Sequence, residues 1–206
     1  MKISIALTKG RVEKQFLQYV KTRGFEVGPL IDKGRKLLVE TDEFICIFVK
    51  GVDVATYVEY GICDIGIVGE DILAEDQPDV FDLMPLPFGK CRFALCGKPE
   101  SIRHNRKRRI ATKYPHVTQR FFREKGESVD IVKLEGSVEL APIVGLADAI
   151  VDIVETGNTL RENGLVVIEN IQPITSRLIA NRSALKLKKD AIQPFIQKLQ
   201  GEEILK

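Results

Sequence analysis

The run Val151-Asp152-Ile153-Val154-Glu155-Thr156-Gly157-Asn158-Thr159-Leu160 carries the residue types that phosphate and sugar chemistry require. An apolar stretch ends at Glu155, a short turn follows, and helix formers resume at Leu160-Arg161-Glu162. Gly157 lets the backbone come close to a ligand. Amide N–H groups at a helix start are ready donors, and the helix dipole favours an anionic guest. The hydroxyls of Thr156 and Thr159 and the amide of Asn158 add donors. Asp152 and Glu155 repel phosphate, yet they accept hydrogen bonds from sugar hydroxyls or hold a metal ion. Donors and carboxylates side by side suit a sugar phosphate. The same four residues, Thr156 to Thr159, would also make an ordinary turn with an N-cap, and spacing alone leaves both readings open.

The elements that position this stretch are legible as a duplication. Ile5-Ala6-Leu7-Thr8-Lys9 leads through Gln15-Phe16-Leu17 to Gly24; Ile110-Ala111-Thr112-Lys113 leads through Gln119-Arg120-Phe121-Phe122 to Gly126. Each reads as strand, amphipathic helix, glycine stop and a further strand. Downstream, Gly51 opens a helical stretch that ends at Gly61-Ile62-Cys63-Asp64. Gly136-Ser137 opens another that ends at Gly145-Leu146-Ala147-Asp148. Continuous apolar runs follow, Ile65-Gly66-Ile67-Val68 and Ala149 to Val154, as expected for strands buried on both faces of a sheet. Two copies of this order predict an α/β chain of two similar lobes. The first is residues 1–89 plus 178–206 and the second is residues 90–177. Met84-Pro85-Leu86-Pro87 makes one crossing, and the strand candidates Leu165–Glu169 and Arg177–Asn181 flank the other. Two lobes with two crossings imply a cleft, and ligands of α/β sheets collect at the carboxyl ends of strands.

Bulk properties restrict the partners. Across 206 residues the net charge is only +2, so whole-chain electrostatics point to neither nucleic acid nor an anionic membrane. The basic run Arg103-His104-Asn105-Arg106-Lys107-Arg108-Arg109 lacks aromatic interleaving and reads as a solvated loop. No stretch is long and apolar enough for a membrane span, and the N-terminus lacks a signal-peptide core, so a cytoplasmic location is expected. Cys46, Cys63, Cys91 and Cys96 form no C-x-x-C pair and read as reduced thiols. His104 and His116 lack metal-ligand spacing.

The segment from Glu135-Gly136-Ser137-Val138-Glu139-Leu140-Ala141-Pro142 through Asp152 to Glu155-Thr156-Gly157-Asn158-Thr159-Leu160 closely resembles the signature region of ATP phosphoribosyltransferases. Lys9-Gly10-Arg11, Asp53 to Gly61, Phe88-Gly89-Lys90-Cys91-Arg92 and Arg109 to Pro115 extend the likeness in order over nearly the whole chain. The resemblance implies a fold similar to type II periplasmic binding proteins. It also implies the first step of histidine biosynthesis, in which N1 of the adenine of ATP attacks the anomeric carbon of phosphoribosyl pyrophosphate and pyrophosphate leaves with the help of Mg²⁺.

By the same resemblance, Glu155 to Thr159 would wrap the 5′-phosphate, Asp152 would meet the ribose hydroxyls, and Glu135 the adenine amino group. The leaving group needs cations, and Lys9, Arg11, Arg35 and Lys50 are the candidates at strand ends or loop starts; Lys113 is the repeat counterpart of Lys9. Lys50 stands where the family pattern suggests an arginine, which keeps the charge and loses the bidentate fork. The chain stops at Lys206, as expected of the family's short form. That form implies a catalytic homodimer that joins a regulatory subunit resembling histidyl-tRNA synthetase in a hetero-octamer. Two other readings use the same features: a two-lobed solute-binding or sensor protein without catalysis, and a phosphoribosyltransferase with another acceptor base.

Overall fold

The computed structural model describes residues 2–99 and 107–201. Most of the basic run, residues 103–106, lies outside the described residues. At its end, Lys107 pairs with Asp130 at 2.5 Å and Arg108 pairs with Glu127. The chain opens with β1 (Ile3–Thr8), α1 (Arg11–Thr22), α2 (Gly28–Ile31), β2 (Leu38–Glu40), β3 (Phe44–Val49), a 3-10 turn (Gly51–Asp53), α3 (Val54–Glu59), β4 (Ile65–Gly69), α4 (Glu70–Asp76) and β5 (Phe81–Pro85). It continues with β6 (Cys91–Gly97), β7 (Arg108–Thr112), α5 (Pro115–Glu124), β8 (Val129–Lys133), α6 (Leu140–Ile143), β9 (Ala149–Val154), α7 (Asn158–Glu162) and β10 (Val166–Ile174). The last elements are β11 (Ser176–Ala180), α8 (Arg182–Leu187) and α9 (Lys189–Gln200).

These elements form two compact units. The first holds Met1–Leu73, Gln77–Gly89 and Ser176–Lys206; the second holds Ala74–Asp76 and Lys90–Thr175. The first unit's sheet runs β2-β3-β1-β4-β11-β5, with β1 parallel to β3 and β4, and β11 antiparallel to β4 and β5. The second unit's sheet runs β10-β6-β9-β7-β8, with β7 parallel to β8 and β9, and β6 antiparallel to β9 and β10. Strand for strand, β3-β1-β4-β11-β5 and β8-β7-β9-β6-β10 have the same order and the same senses. The duplication read from the sequence is thus a duplication of sheet topology, and each sheet is mixed.

Each sheet is buried by helices on both faces. In the first unit, α1 lays Phe16 and Val20 and α9 lays Ile192, Phe195 and Leu199 on one face. Val54, Ala55 and Val58 of α3 cover the other. Phe195 lies 5.1 Å from Phe25 and 5.9 Å from Phe44, ring centre to ring centre, so the tail closes the first unit's own core. Pro194 sits inside α9, whose apolar face survives it. In the second unit, Val117, Phe121 and Phe122 of α5 cover one face, while Val138, Ala141 and Leu160 cover the other. Ala74–Asp76 joins this unit because the Glu75 carboxylate accepts from the N–H groups of His116 and Val117, both at 3.0 Å, at the start of α5.

The copies differ locally. The helix expected to open at Gly136-Ser137 is a single turn, α6, that starts only at Leu140, because Ser137 takes a left-handed φ of 46° that no helix continues. In both units the glycine stop is left-handed, with φ of 75° at Gly24 and 69° at Gly126.

The Asp that ends each Gly-x-x-Asp turn has a shared task. Asp64 accepts the Ser4 N–H at 2.8 Å and returns its own N–H to the Ser4 carbonyl at 3.0 Å. Asp148 does the same with Arg109, at 2.8 Å in each direction. Asp64 is buried and also takes the Ser4 hydroxyl and the Lys188 ammonium, at 2.9 and 2.8 Å. We expect Asp64→Ala to lower the unfolding free energy by about 3–5 kcal/mol in urea titration, because it strands a partly buried ammonium and a backbone donor. Asp64→Asn, which keeps an acceptor, should lose clearly less.

Candidate functional site

Every residue singled out for chemistry except Arg35 lies at or just beyond the carboxyl end of a parallel strand or its immediate loop. In the first unit, β1 and β3 run side by side with Thr8 opposite Val49, so Lys9 and Lys50 leave the sheet as neighbours. A methyl group added at Gly51 would sit 3.4 Å from the Thr8 hydroxyl, so the two loops are in contact. Lys9, Arg11 and Lys50 are all exposed. Arg35 is also exposed; it follows no strand but stands in the turn between α2 and β2, which enters β2 beside the carboxyl end of β3, where the Phe48 N–H donates to the Leu37 carbonyl at 2.8 Å.

In the second unit, β7 lies between β8 and β9, with Thr112 opposite both Lys133 and Val151. Lys113 follows β7, its ammonium 5.8 Å from the Tyr114 ring centre. The buried Thr112 hydroxyl donates to the Val151 carbonyl at 2.7 Å and accepts the Tyr114 N–H at 2.9 Å, which pins the β7 loop to the end of β9. Glu135 follows β8, is well exposed and pairs with Lys133 at 3.3 Å.

The turn after β9 has the form the sequence suggested. Gly157 has a φ of 74° and caps α7. The Thr156 hydroxyl accepts the Asn158 N–H at 3.4 Å, and Arg161 donates to the Asn158 side-chain oxygen. Glu155, Thr156, Asn158 and Thr159 are exposed. Asp152 lies half-buried on the same strand, and its Oδ1 accepts the Ile153 N–H at 2.8 Å. A side chain at Gly157 would meet only Val154, at 3.7 Å. The glycine is therefore required by its backbone angle and not by crowding. The equivalent turn of the first unit, after β4, is Gly69-Glu70-Asp71 leading straight into α4, with no threonine, asparagine or left-handed residue.

Sequence reading passed over the residues that hold these loops. Thr112 gives no signal beyond its place at a strand end. Glu13 does give one, because Gly10-x-x-Glu13 has the spacing of a capping box. Its carboxylate accepts the Gly10 N–H at 3.1 Å and pairs with Lys33.

Comparison with known proteins bears on these positions. A family model described as HisG, ATP phosphoribosyltransferase, matches residues 50–201. An ATP phosphoribosyltransferase of Bacillus cytotoxicus is 51% identical over 201 residues, 96% of each chain. The chain belongs to the ATP phosphoribosyltransferase family. A second such enzyme, from Bacillus cereus (strain ATCC 10987 / NRS 248), is 50% identical over 97% of this chain and 96% of its own. Among solved structures, the ATP phosphoribosyl transferase (HisG:HisZ) complex from Thermotoga maritima matches with a TM-score of 0.84 and 37% identity, covering 97% of both chains. The periplasmic aliphatic sulphonate binding protein SsuA of Escherichia coli matches with a TM-score of 0.64 at 15% identity, over 97% of this chain and 72% of its own. That likeness is one of fold, a two-unit α/β fold similar to type II periplasmic binding proteins.

Among the described residues, no group of three or more His, Cys, Asp or Glu is placed to hold a metal ion, and no helix is long and apolar enough to cross a membrane. None of the four cysteines is in a disulfide. Cys96 lies behind Asp152: burial first, then the charge of Asp152, push its thiol up to about 12, with Arg92 opposing. Burial likewise raises Cys46 and Cys63 to about 12. A thiol reagent at pH 8 should therefore reach Cys91 at most in the native protein and all four cysteines after denaturation. The folded state holds these protons more tightly than the unfolded chain, so stability should be level below the ordinary thiol value of 9.0 and fall as pH rises from there toward about 12. Rapid native labelling at Cys96 would show that the strand behind Asp152 opens.

Proposed function

We propose that this chain transfers the phosphoribosyl group of phosphoribosyl pyrophosphate to N1 of the adenine of ATP and releases pyrophosphate, the first step of histidine biosynthesis. Family membership supports the reaction. The observation that carries the assignment to residues is the exposed Glu155–Thr159 turn, built on a left-handed Gly157 and set one strand end from Lys113. In the transfer the N1 lone pair forms the new bond to the anomeric carbon as the bond to pyrophosphate breaks. The nucleophile carries no proton, so no general base is needed.

The backbone and the hydroxyls of Thr156 and Thr159, with the Asn158 amide, hold the 5′-phosphate, and Glu155 and Asp152 accept from the ribose hydroxyls. Negative charge grows on the leaving pyrophosphate, so Lys9, Arg11, Arg35 and Lys50 stabilise the transition state more than the ground state. Glu135 accepts from the adenine amino group. The donor set fits Mg²⁺ carried by the substrate, since that ion keeps its waters and takes one or two carboxylates beside substrate phosphates, and Asp152 and Glu155 are of that kind. When bound, Mg²⁺ would neutralise charge on the pyrophosphate.

The assembly proposed is a homodimer within a hetero-octamer, joined by a regulatory subunit resembling histidyl-tRNA synthetase; the Thermotoga maritima relative was solved as a HisG:HisZ complex. A cytoplasmic location goes with that role. The non-catalytic solute-binding reading rests on fold alone, and fold does not carry function.

The deciding assay mixes the chain with ATP, phosphoribosyl pyrophosphate and Mg²⁺, with and without that partner, and follows pyrophosphate release. Release that needs both substrates is expected; release with a free base in place of ATP would overturn the acceptor. Asp152→Ala should lower kcat at least about tenfold with thermal stability little changed, as expected for a transition-state contact. Loss of the fold with no separate kinetic defect would make Asp152 structural. Gly157→Val forces a β-branched residue to a φ of 74°, so the turn must rearrange. Calorimetry should show affinity for phosphoribosyl pyrophosphate down by about tenfold or more, with the core intact. Unchanged affinity would place the phosphate elsewhere.

A further inference from the structure

Beneath the exposed cations of the first unit lies a buried ion pair that the reaction chemistry does not itself require. Glu13, in the first turn of α1, keeps only 10% of its side chain exposed, and its partner Lys33 keeps 15%. One Glu13 oxygen accepts the Gly10 N–H at 3.1 Å; the other takes the Lys33 ammonium. That ammonium also lies 4.7 Å from the centre of the Phe48 ring, which is itself buried on β3.

The connections of this pair are specific. Gly10 stands between Lys9 and Arg11. Lys33 opens the turn that carries Arg35, where its carbonyl accepts the Lys36 N–H at 3.1 Å. Phe48 ends two residues before Lys50, and its N–H donates to the Leu37 carbonyl at 2.8 Å. The pair therefore links the loop of Lys9 and Arg11, through Gly10, to the turn of Arg35, through Lys33, and packs on Phe48 two residues before Lys50.

Gly10 has no side chain, so only the acid half of a capping box is present, and that half requires no lysine. Here the acid is turned inward and neutralised by a lysine from a distant loop. We infer that Glu13 and Lys33 are positioning residues that set the mutual geometry of the cations meeting the leaving pyrophosphate, an inference that rests on the function proposed above. The pair touches no substrate. Beyond the β2–β3 pairing that holds Leu37, it ties the Arg35 turn to the loop of Lys9 and Arg11. It also cancels its own charge, so the positive field of the exposed cations is not reduced.

The test uses the full chain, with its regulatory partner where turnover needs it. Lys33→Met and the neutral double variant Glu13→Gln/Lys33→Met are compared with Lys33→Arg. Loops displaced by about an ångström should cost ten- to a hundredfold in kcat/KM for phosphoribosyl pyrophosphate. KM for ATP should stay within about twofold, and Lys33→Arg should recover most of the loss. Amide hydrogen exchange should rise together at residues 9–11 and 33–36 in the double variant. A folded double variant with unchanged kcat/KM and unchanged exchange at either loop would overturn the inference. So would an activity loss that merely tracks the fraction unfolded. If the unaltered chain transfers no phosphoribosyl group, the proposed function fails, and the paired exchange response still decides whether these residues order both loops.

Discussion

A single reciprocal contact sets the register on which each sheet depends. The aspartate before β4, and its counterpart before β9, binds the backbone of the neighbouring strand in both directions, Asp64 to Ser4 and Asp148 to Arg109. Side chains alternate faces along a strand, so a slip of one residue would exchange the two faces of β4 or β9. Here it would move Ile65 or Ile150 from one buried cluster to the cluster on the opposite face. It would also move Asp152, which faces the side of Ala94 and Cys96, to the side covered by α5. The position of every loop at the carboxyl ends of these strands follows from a contact made at their other ends.

With that frame duplicated, the chemistry is not. Both units deliver a loop after the strand that follows the aspartate. In the first it passes through Gly69-Glu70-Asp71 directly into α4; in the second it makes the left-handed turn at Gly157 with threonines on either side. The exposed cations follow the opposite division, with Lys9, Arg11, Arg35 and Lys50 all in the first unit. Under the proposed function, one copy supplies donors for a phosphate monoester and the other supplies charge. The fold supplies equivalent positions, and the side chains decide what each position does.

How much of this could be read from the residues alone differs by element. The strands β1, β4, β7 and β9 and the helices α1 and α5 were legible because each carries a strong period and a glycine stop, and because the copies vouch for each other. The turn at Gly157 was legible because its donors are contiguous. The short α6 was not, since nothing in Glu135-Gly136-Ser137 announces a left-handed serine. The edge strands β2 and β5 have too few buried positions to show alternation. Glu75 lies 41 residues before His116, and a contact at that separation leaves no local pattern to read.

Glu13 and Lys33 stand 20 residues apart, so their pairing leaves no local pattern in the sequence, and its cost is informative. Two charges withdrawn from water lose hydration that their attraction restores only when the geometry is good, and an apolar pair of similar volume is often at least as stable. A chain selected for stability alone has a simpler solution beneath β1 and β3, where Phe16, Phe44 and Phe48 already form an apolar floor. What an apolar pair cannot do is hold a backbone N–H at Gly10 and the loop near Arg35 in one fixed relation, because dispersion contacts tolerate sliding and hydrogen bonds do not. Cations repel one another, so loops that carry them drift apart unless something with direction holds them. A buried carboxylate shared between a helix cap and a lysine supplies that direction from below, where water does not screen it.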